Sequence, residues 1–175
     1  MGGESDEDRP PRFITPAGFA AIRAEYETLF GTERPNLVET ISWAAGNGDR
    51  SENGDYIYGR KRLREIDRRL TYLSKVMTQA RQIDPAAQVE RDVAHFGARV
   101  MVIPSDFDDD DAWRFFTLVG EDEADGVGSR ISWTSPIGQA LLGARVDDRR
   151  TVILPAGERD YNVLGIDYPE LAERS

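Results

Sequence analysis

Leu63, Ile66, Leu70, Leu73, Met77 and Ala80 follow one another at alternating spacings of three and four, without a break. Such a run draws one apolar stripe along a helix, and the stripe has to be buried against a partner. A second stripe precedes it: Phe19, Ile22, Tyr26 and Leu29, resuming with Val38, Ile41 and Ala45. Between the two lies Gly46-Asn47-Gly48-Asp49-Arg50-Ser51-Glu52-Asn53-Gly54-Asp55-Tyr56, polar throughout and broken by glycine. A connection that short makes the second helix an antiparallel neighbour of the first. The pattern therefore predicts a helical hairpin, an antiparallel coiled coil, over residues 13–84 with an acidic tip at 46–56. Each arm has about 30 residues, so at 1.5 Å rise the hairpin is roughly 45 Å long. Thr15 is the expected N-cap of the first helix, with Pro16 at its first position, where a missing N–H costs nothing. Gly31 and Pro35 interrupt the first stripe, and Pro35 is expected to kink or split the helix.

Ile83-Asp84-Pro85 closes the helical half, and residues 85–92 read as a linker. The rest, 93–170, changes character. Ala98–Ile103, Arg114–Gly120, Arg130–Thr134, Thr151–Leu154 and Tyr161–Tyr168 are short strand-like runs. A short helix is expected near Ser135–Leu142, with Ser135 as N-cap and Pro136 at N1. Asp108–Asp111 reads as a solvated turn between strands. The fold class is α+β: a long hairpin plus a small antiparallel sheet with one helix packed on it. Residues 1–12 offer no apolar anchor and are expected to be a disordered tail, and residues 171–175 are expected to fray.

Composition removes several function classes. The formal net charge is -10, which argues against tight binding to bulk duplex nucleic acid, because that needs broad phosphate neutralisation. With no Cys and a single His, His95, neither disulfides nor thiolate or histidine metal sites are available. No apolar run approaches the ~18 residues of a membrane span, and the acidic N-terminus is unlike a signal peptide. A cytoplasmic protein is expected. A monomer is expected too, because the hairpin packs on itself.

The tip carries the chemistry. Asp49 and Glu52 admit two readings that are compatible with each other. As Asp-x-x-Glu they fit a capping box at the start of the second helix. As two carboxylates they suit a hard cation such as Mg²⁺, which prefers oxygen ligands and needs a second macromolecule to complete its shell. Just beyond the tip, Arg60, Lys61, Arg62, Arg64, Arg68 and Arg69 stand among only two acids, Glu65 and Asp67. In an acidic chain this local reversal reads either as a solvated, internally paired face or as a phosphate-contacting stripe.

These residues resemble a known family. Trp43-Ala44-Ala45, Gly48-Asp49-Arg50-Ser51-Glu52-Asn53, Asp55-Tyr56 and Lys61-Arg62-Leu63-Arg64-Glu65-Ile66-Asp67-Arg68-Arg69 look like the tip region of the bacterial Gre transcript cleavage factors, of the GreB type. Glu33-Arg34-Pro35, Ser135-Pro136, Ala140-Leu141-Leu142 and Pro155-Ala156-Gly157-Glu158 fit as well, so the likeness runs from about Ile14 to Tyr168. Gly54 departs from it, standing where Ala is usual. The resemblance implies an N-terminal coiled coil and a C-terminal domain of FKBP-like fold that docks on RNA polymerase at the rim of its secondary channel. It implies that Asp49 and Glu52 help the polymerase hold its second Mg²⁺, with no metal bound by the factor alone. The polymerase then hydrolyses backtracked nascent RNA, and the factor is an activator, not itself an enzyme. Arg60, Lys61, Arg62 and Arg64 would contact the RNA 3′ end. Arg50, Ser51, Asn53, Asp55 and Tyr56 would support the tip, and Ser135 and Pro136 would belong to the docking surface. Two other readings stand beside it: a channel-binding regulator without cleavage, and a coiled-coil adaptor for another protein.

Overall fold

The structure is a computed structural model that describes residues 9–47, 53–106, 111–125 and 129–169. It separates into two compact units, Phe19–Gln79 and the remainder of the chain.

The first unit is the hairpin. Helix α1 (Pro16–Thr28) runs through a π-helical turn (Leu29–Glu33) into α2 (Arg34–Ala45), and α3 (Gly54–Gln79) returns. Thr15 caps α1 as expected: its Oγ1 accepts the Gly18 N–H at 3.0 Å. The anticipated break at Gly31 and Pro35 is this π turn. Pro35 has no N–H, and its ring would collide with the carbonyl four residues back. Widening the turn, with the Arg34 N–H bonded to the Leu29 carbonyl five residues earlier, relieves that collision while the helix continues.

The π turn also corrects the predicted seam. It inserts one residue, so the inward positions after it shift. Val38 is exposed, whereas Ala44 is fully buried and Leu37 and Ile41 lie against Gly59 of α3. On α3 the buried positions are Gly59, Ile66, Leu70, Leu73 and Val76. A β-carbon at Gly59 would stand 2.7 Å from Ile41 Cγ1, so glycine is what lets the two helices close here.

The second unit is built on a five-stranded sheet of β3 (Arg99–Pro104), β4 (Arg114–Val119), β5 (Arg130–Ser132), β6 (Arg149–Leu154) and β7 (Gly157–Asp167), in the order β5-β4-β3-β7-β6. The pairings of β3 with β4 and β7, and of β6 with β7, are antiparallel. The edge strand β5 departs from the all-antiparallel expectation and runs parallel to β4. Val100, Val102, Leu118, Val152 and Val163 point into one core, closed by Leu141 of helix α4 (Pro136–Leu141). Ser135 caps α4 as predicted, accepting the Gly138 N–H at 3.1 Å.

Two short parallel strands complete this unit, β1 (Phe13–Ile14) and β2 (Arg81–Gln82). Arg12 corrects the expected tail boundary, since it belongs to this packed unit. Its carbonyl accepts the Arg81 N–H at 2.8 Å, and its guanidinium meets Asp122 at 3.0 Å.

Among the described residues no helix is long and apolar enough to cross a membrane.

Candidate functional site

At the tip, the helix start decides what each polar residue does. Asn53 caps α3: the Tyr56 N–H donates to its Oδ1 at 3.1 Å, and the Ile57 N–H bonds to its carbonyl. This corrects the capping-box reading, which gave the cap to Asp49. Asparagine is as good a cap as aspartate, but it also carries a donor. The Asn53 Nδ2 donates to the Ala44 carbonyl at 2.8 Å, the same oxygen that takes the Asn47 N–H at 3.2 Å. One carbonyl at the end of α2 thus gathers both ends of the connection. Asp49, Arg50, Ser51 and Glu52 lie outside the described residues. Asp55 stands exposed in the first turn of α3, where its charge favours the helix N-terminus.

The basic run divides into occupied and unoccupied side chains. Arg62 is held across the hairpin by Glu33, at 3.1 and 2.5 Å to the same oxygen, with Glu65 at 3.4 Å on its other side. The Glu33 hydrogen bond and charge raise the Arg62 guanidinium above its ordinary pKa. Arg69 forks onto Glu25 at 2.6 and 2.9 Å, which holds the Glu25 carboxyl below its usual range. Arg34 reaches back to Asp67 at 2.7 Å. These pairs join helix to helix, so neither side of the sequence-level choice was complete: the pairing is real, but most of it is not intrahelical. Arg60 lies over the Tyr56 ring, 5.8 Å from its centre, and donates to the Tyr56 hydroxyl at 3.1 Å. Lys61 and Arg64 are exposed. The structure therefore separates Arg62, a helix-bridging residue, from Lys61 and Arg64, and Ser135, whose hydroxyl serves as cap and bonds the Ser132 carbonyl, from the exposed Pro136.

Sequence reasoning missed a buried polar cluster in the second unit. Glu123 accepts the Thr15 N–H at 3.1 Å and the Gly120 N–H at 2.9 Å on one oxygen, and the Thr15 hydroxyl on the other. Its side chain is 2% exposed, with the Arg130 guanidinium 3.7 Å away. A side chain on Gly18 would collide with this carboxylate. No local signal marks the cluster, since Thr15 and Glu123 are 108 residues apart.

Comparison with known proteins adds the family to this geometry. Residues 12–81 match the description "Transcription elongation factor, N-terminal", and residues 88–168 match "Transcription elongation factor, GreA/GreB, C-term". The chain belongs to the GreA/GreB family of transcription elongation factors. It is 42% identical over 156 residues to the transcription elongation factor GreB of Neisseria meningitidis serogroup B, covering 89% of this chain and 93% of that protein. It is 44% identical to GreB of Yersinia pestis, covering 89% and 88%. Among solved structures it is similar to GreA factor homolog 1 of Thermus thermophilus, with a TM-score of 0.41 and 20% identity, covering 90% of this chain and 99% of that one. As a Gre-family factor the chain has its two matched regions on the two parts that sequence reading separated, the hairpin and the sheet domain.

Proposed function

We propose that this Gre-family factor inserts its hairpin tip into the secondary channel of bacterial RNA polymerase and stimulates the polymerase's own hydrolysis of backtracked nascent RNA. The observation that carries the reading is the assignment of the α3 cap to Asn53. The helix is capped by a neutral residue, and the two carboxylates beside it in sequence, Asp49 and Glu52, suit a divalent cation that lacks ligands of its own.

Asp49 and Glu52 would hold a Mg²⁺ jointly with the polymerase, and that ion would supply water activation and charge stabilisation on the phosphate. Asp49 and Glu52 raise its occupancy and orient the attacking water, and the factor forms no covalent bond with the RNA. The α3 helix of 26 residues, roughly 39 Å at 1.5 Å per residue, supplies reach. Exposed cations beyond the tip hold the RNA phosphates, and the sheet domain, with Pro136 on its surface, docks at the channel rim. The factor alone cleaves nothing, since one loop does not supply two complete metal sites.

Asp49→Asn and Glu52→Gln, singly and together, remove charge while keeping shape. Cleavage of a stalled, backtracked complex in Mg²⁺ is expected to fall by about two orders of magnitude or more, the scale lost with an electrostatic catalytic group, with polymerase binding kept. Unchanged cleavage overturns the reading and leaves a channel-binding regulator or an adaptor.

A further inference from the structure

The pairing at the hairpin leaves one face of α3 unclaimed. Tyr58 is 69% exposed and Ile57 52% exposed, one turn from the Asn53 cap. Lys61 lies three residues beyond Tyr58 and four beyond Ile57, and Arg64 three beyond Lys61, spacings that put neighbours on one helical face. Lys61 and Arg64 lie on the side of the helix away from the buried seam of Gly59, Ile66 and Leu70, with Tyr58 at the flank. Among the described residues the side chains of Tyr58, Lys61 and Arg64 enter no hydrogen bond, ion pair or ring contact, whereas Arg60, Arg62 and Arg69 are each held by a partner. Two adjoining free cations beside a free, solvent-facing ring point to a ligand with both phosphates and flat faces. Single-stranded nucleic acid has both: cations track its backbone, and unpaired bases stack on aromatic rings without regard to sequence.

We infer that Tyr58 is a stacking platform for an unpaired base of the extruded RNA, with Lys61 and Arg64 on the adjoining phosphates. The inference rests on the proposed cleavage role and adds to it a residue that grips a base instead of a phosphate. It also accounts for a factor that must accept any transcript sequence, since every base has a π-face.

The test uses the full chain bound to polymerase. A backtracked complex carries 2-aminopurine at the RNA 3′ end, and the factor carries Asp49→Asn and Glu52→Gln so that the RNA stays intact. 2-Aminopurine dims when stacked. Binding of this factor is expected to quench it, adding Tyr58→Leu to abolish the quench, and adding Tyr58→Phe to restore it. In factors with both carboxylates intact, Tyr58→Leu is expected to slow cleavage at saturating factor roughly tenfold, within the range seen when a stacking ring is removed, and Tyr58→Phe to recover it. Quenching that survives Tyr58→Leu overturns the inference. So does a Tyr58→Leu factor that only binds polymerase more weakly, which would place the ring against the protein wall of the channel. If the unsubstituted factor stimulates no cleavage, the underlying reading fails first, and that result is separable from failure of Tyr58 alone.

Discussion

Asn53 and Ala44 are joined across the hairpin tip by a hydrogen bond of 2.8 Å from the Asn53 side-chain amide to the Ala44 carbonyl, while the other end of the same amide caps α3. Helix ends leave carbonyls and amides without partners inside the helix. A single carboxamide serves both.

Asn53→Ala is expected to destabilise the hairpin by about 1–2 kcal/mol, the upper part of the range for a lost cap, because the Ala44 carbonyl loses its side-chain donor as well and keeps only its backbone ones. Asn53→Asp keeps the cap but turns an oxygen toward the Ala44 carbonyl, and is expected to recover only part of the loss. Urea unfolding followed by helical circular dichroism reads both. Equal stability of Asn53→Asp and the unsubstituted protein would show that the bridge to Ala44 contributes nothing.

Two glycines of α3 should respond to alanine with opposite sign. Nothing lies within 4 Å of a β-carbon at Gly54, so Gly54→Ala is expected to stabilise by a few tenths up to about 1 kcal/mol. At Gly59 the added carbon meets Ile41 at 2.7 Å, and Gly59→Ala is expected to cost about 1–3 kcal/mol despite the better helix propensity. Thermal melts of the two variants side by side give the comparison. A stabilised Gly59→Ala would mean that the helices separate there without penalty.

Glu123→Ala removes the acceptor of two backbone N–H groups and one hydroxyl inside the second unit. Buried donors left unsatisfied cost about 1–3 kcal/mol each, so a loss of several kcal/mol is expected. Near-UV circular dichroism of Trp133, whose ring lies 5.1 Å from that of Phe13 two residues before Thr15, should report loosening of this segment. An unchanged melt would show that water replaces the carboxylate at no cost.

Tyr168 sets an alkaline limit. Its hydroxyl donates to the Val93 carbonyl and accepts the His95 N–H at 2.9 Å, and burial raises its pKa above the ordinary 10.0. A raised folded-state value for a group that is neutral when protonated means its contribution is complete below pH 10 and is lost as pH climbs from there through the folded value. Unfolding free energy is therefore expected to fall above pH 10, and Tyr168→Phe should flatten that fall while lowering stability at neutral pH. A slope unchanged by Tyr168→Phe would assign the alkaline loss to other groups.

Much of this molecule was legible in the order of its residues. Stripes at three and four, a polar break and Pro after a capping hydroxyl are local signals, and the hairpin, the Thr15 and Ser135 caps and five strands follow from them because backbone geometry is set within a few residues. The acidic tip and the basic run were legible for the same reason. Partner choice was not. That Arg62 takes Glu33 and Arg69 takes Glu25, leaving Lys61 and Arg64 free, depends on where α2 lies against α3. That depends in turn on one extra residue in the π turn, which carries the α1 stripe on to Leu37, Ile41 and Ala44. The α3 cap belongs to Asn53, whose one side chain both accepts from α3 and donates to α2. The parallel edge strand β5 and the burial of Glu123 against Thr15 join residues far apart in the chain, and only packing brings them together.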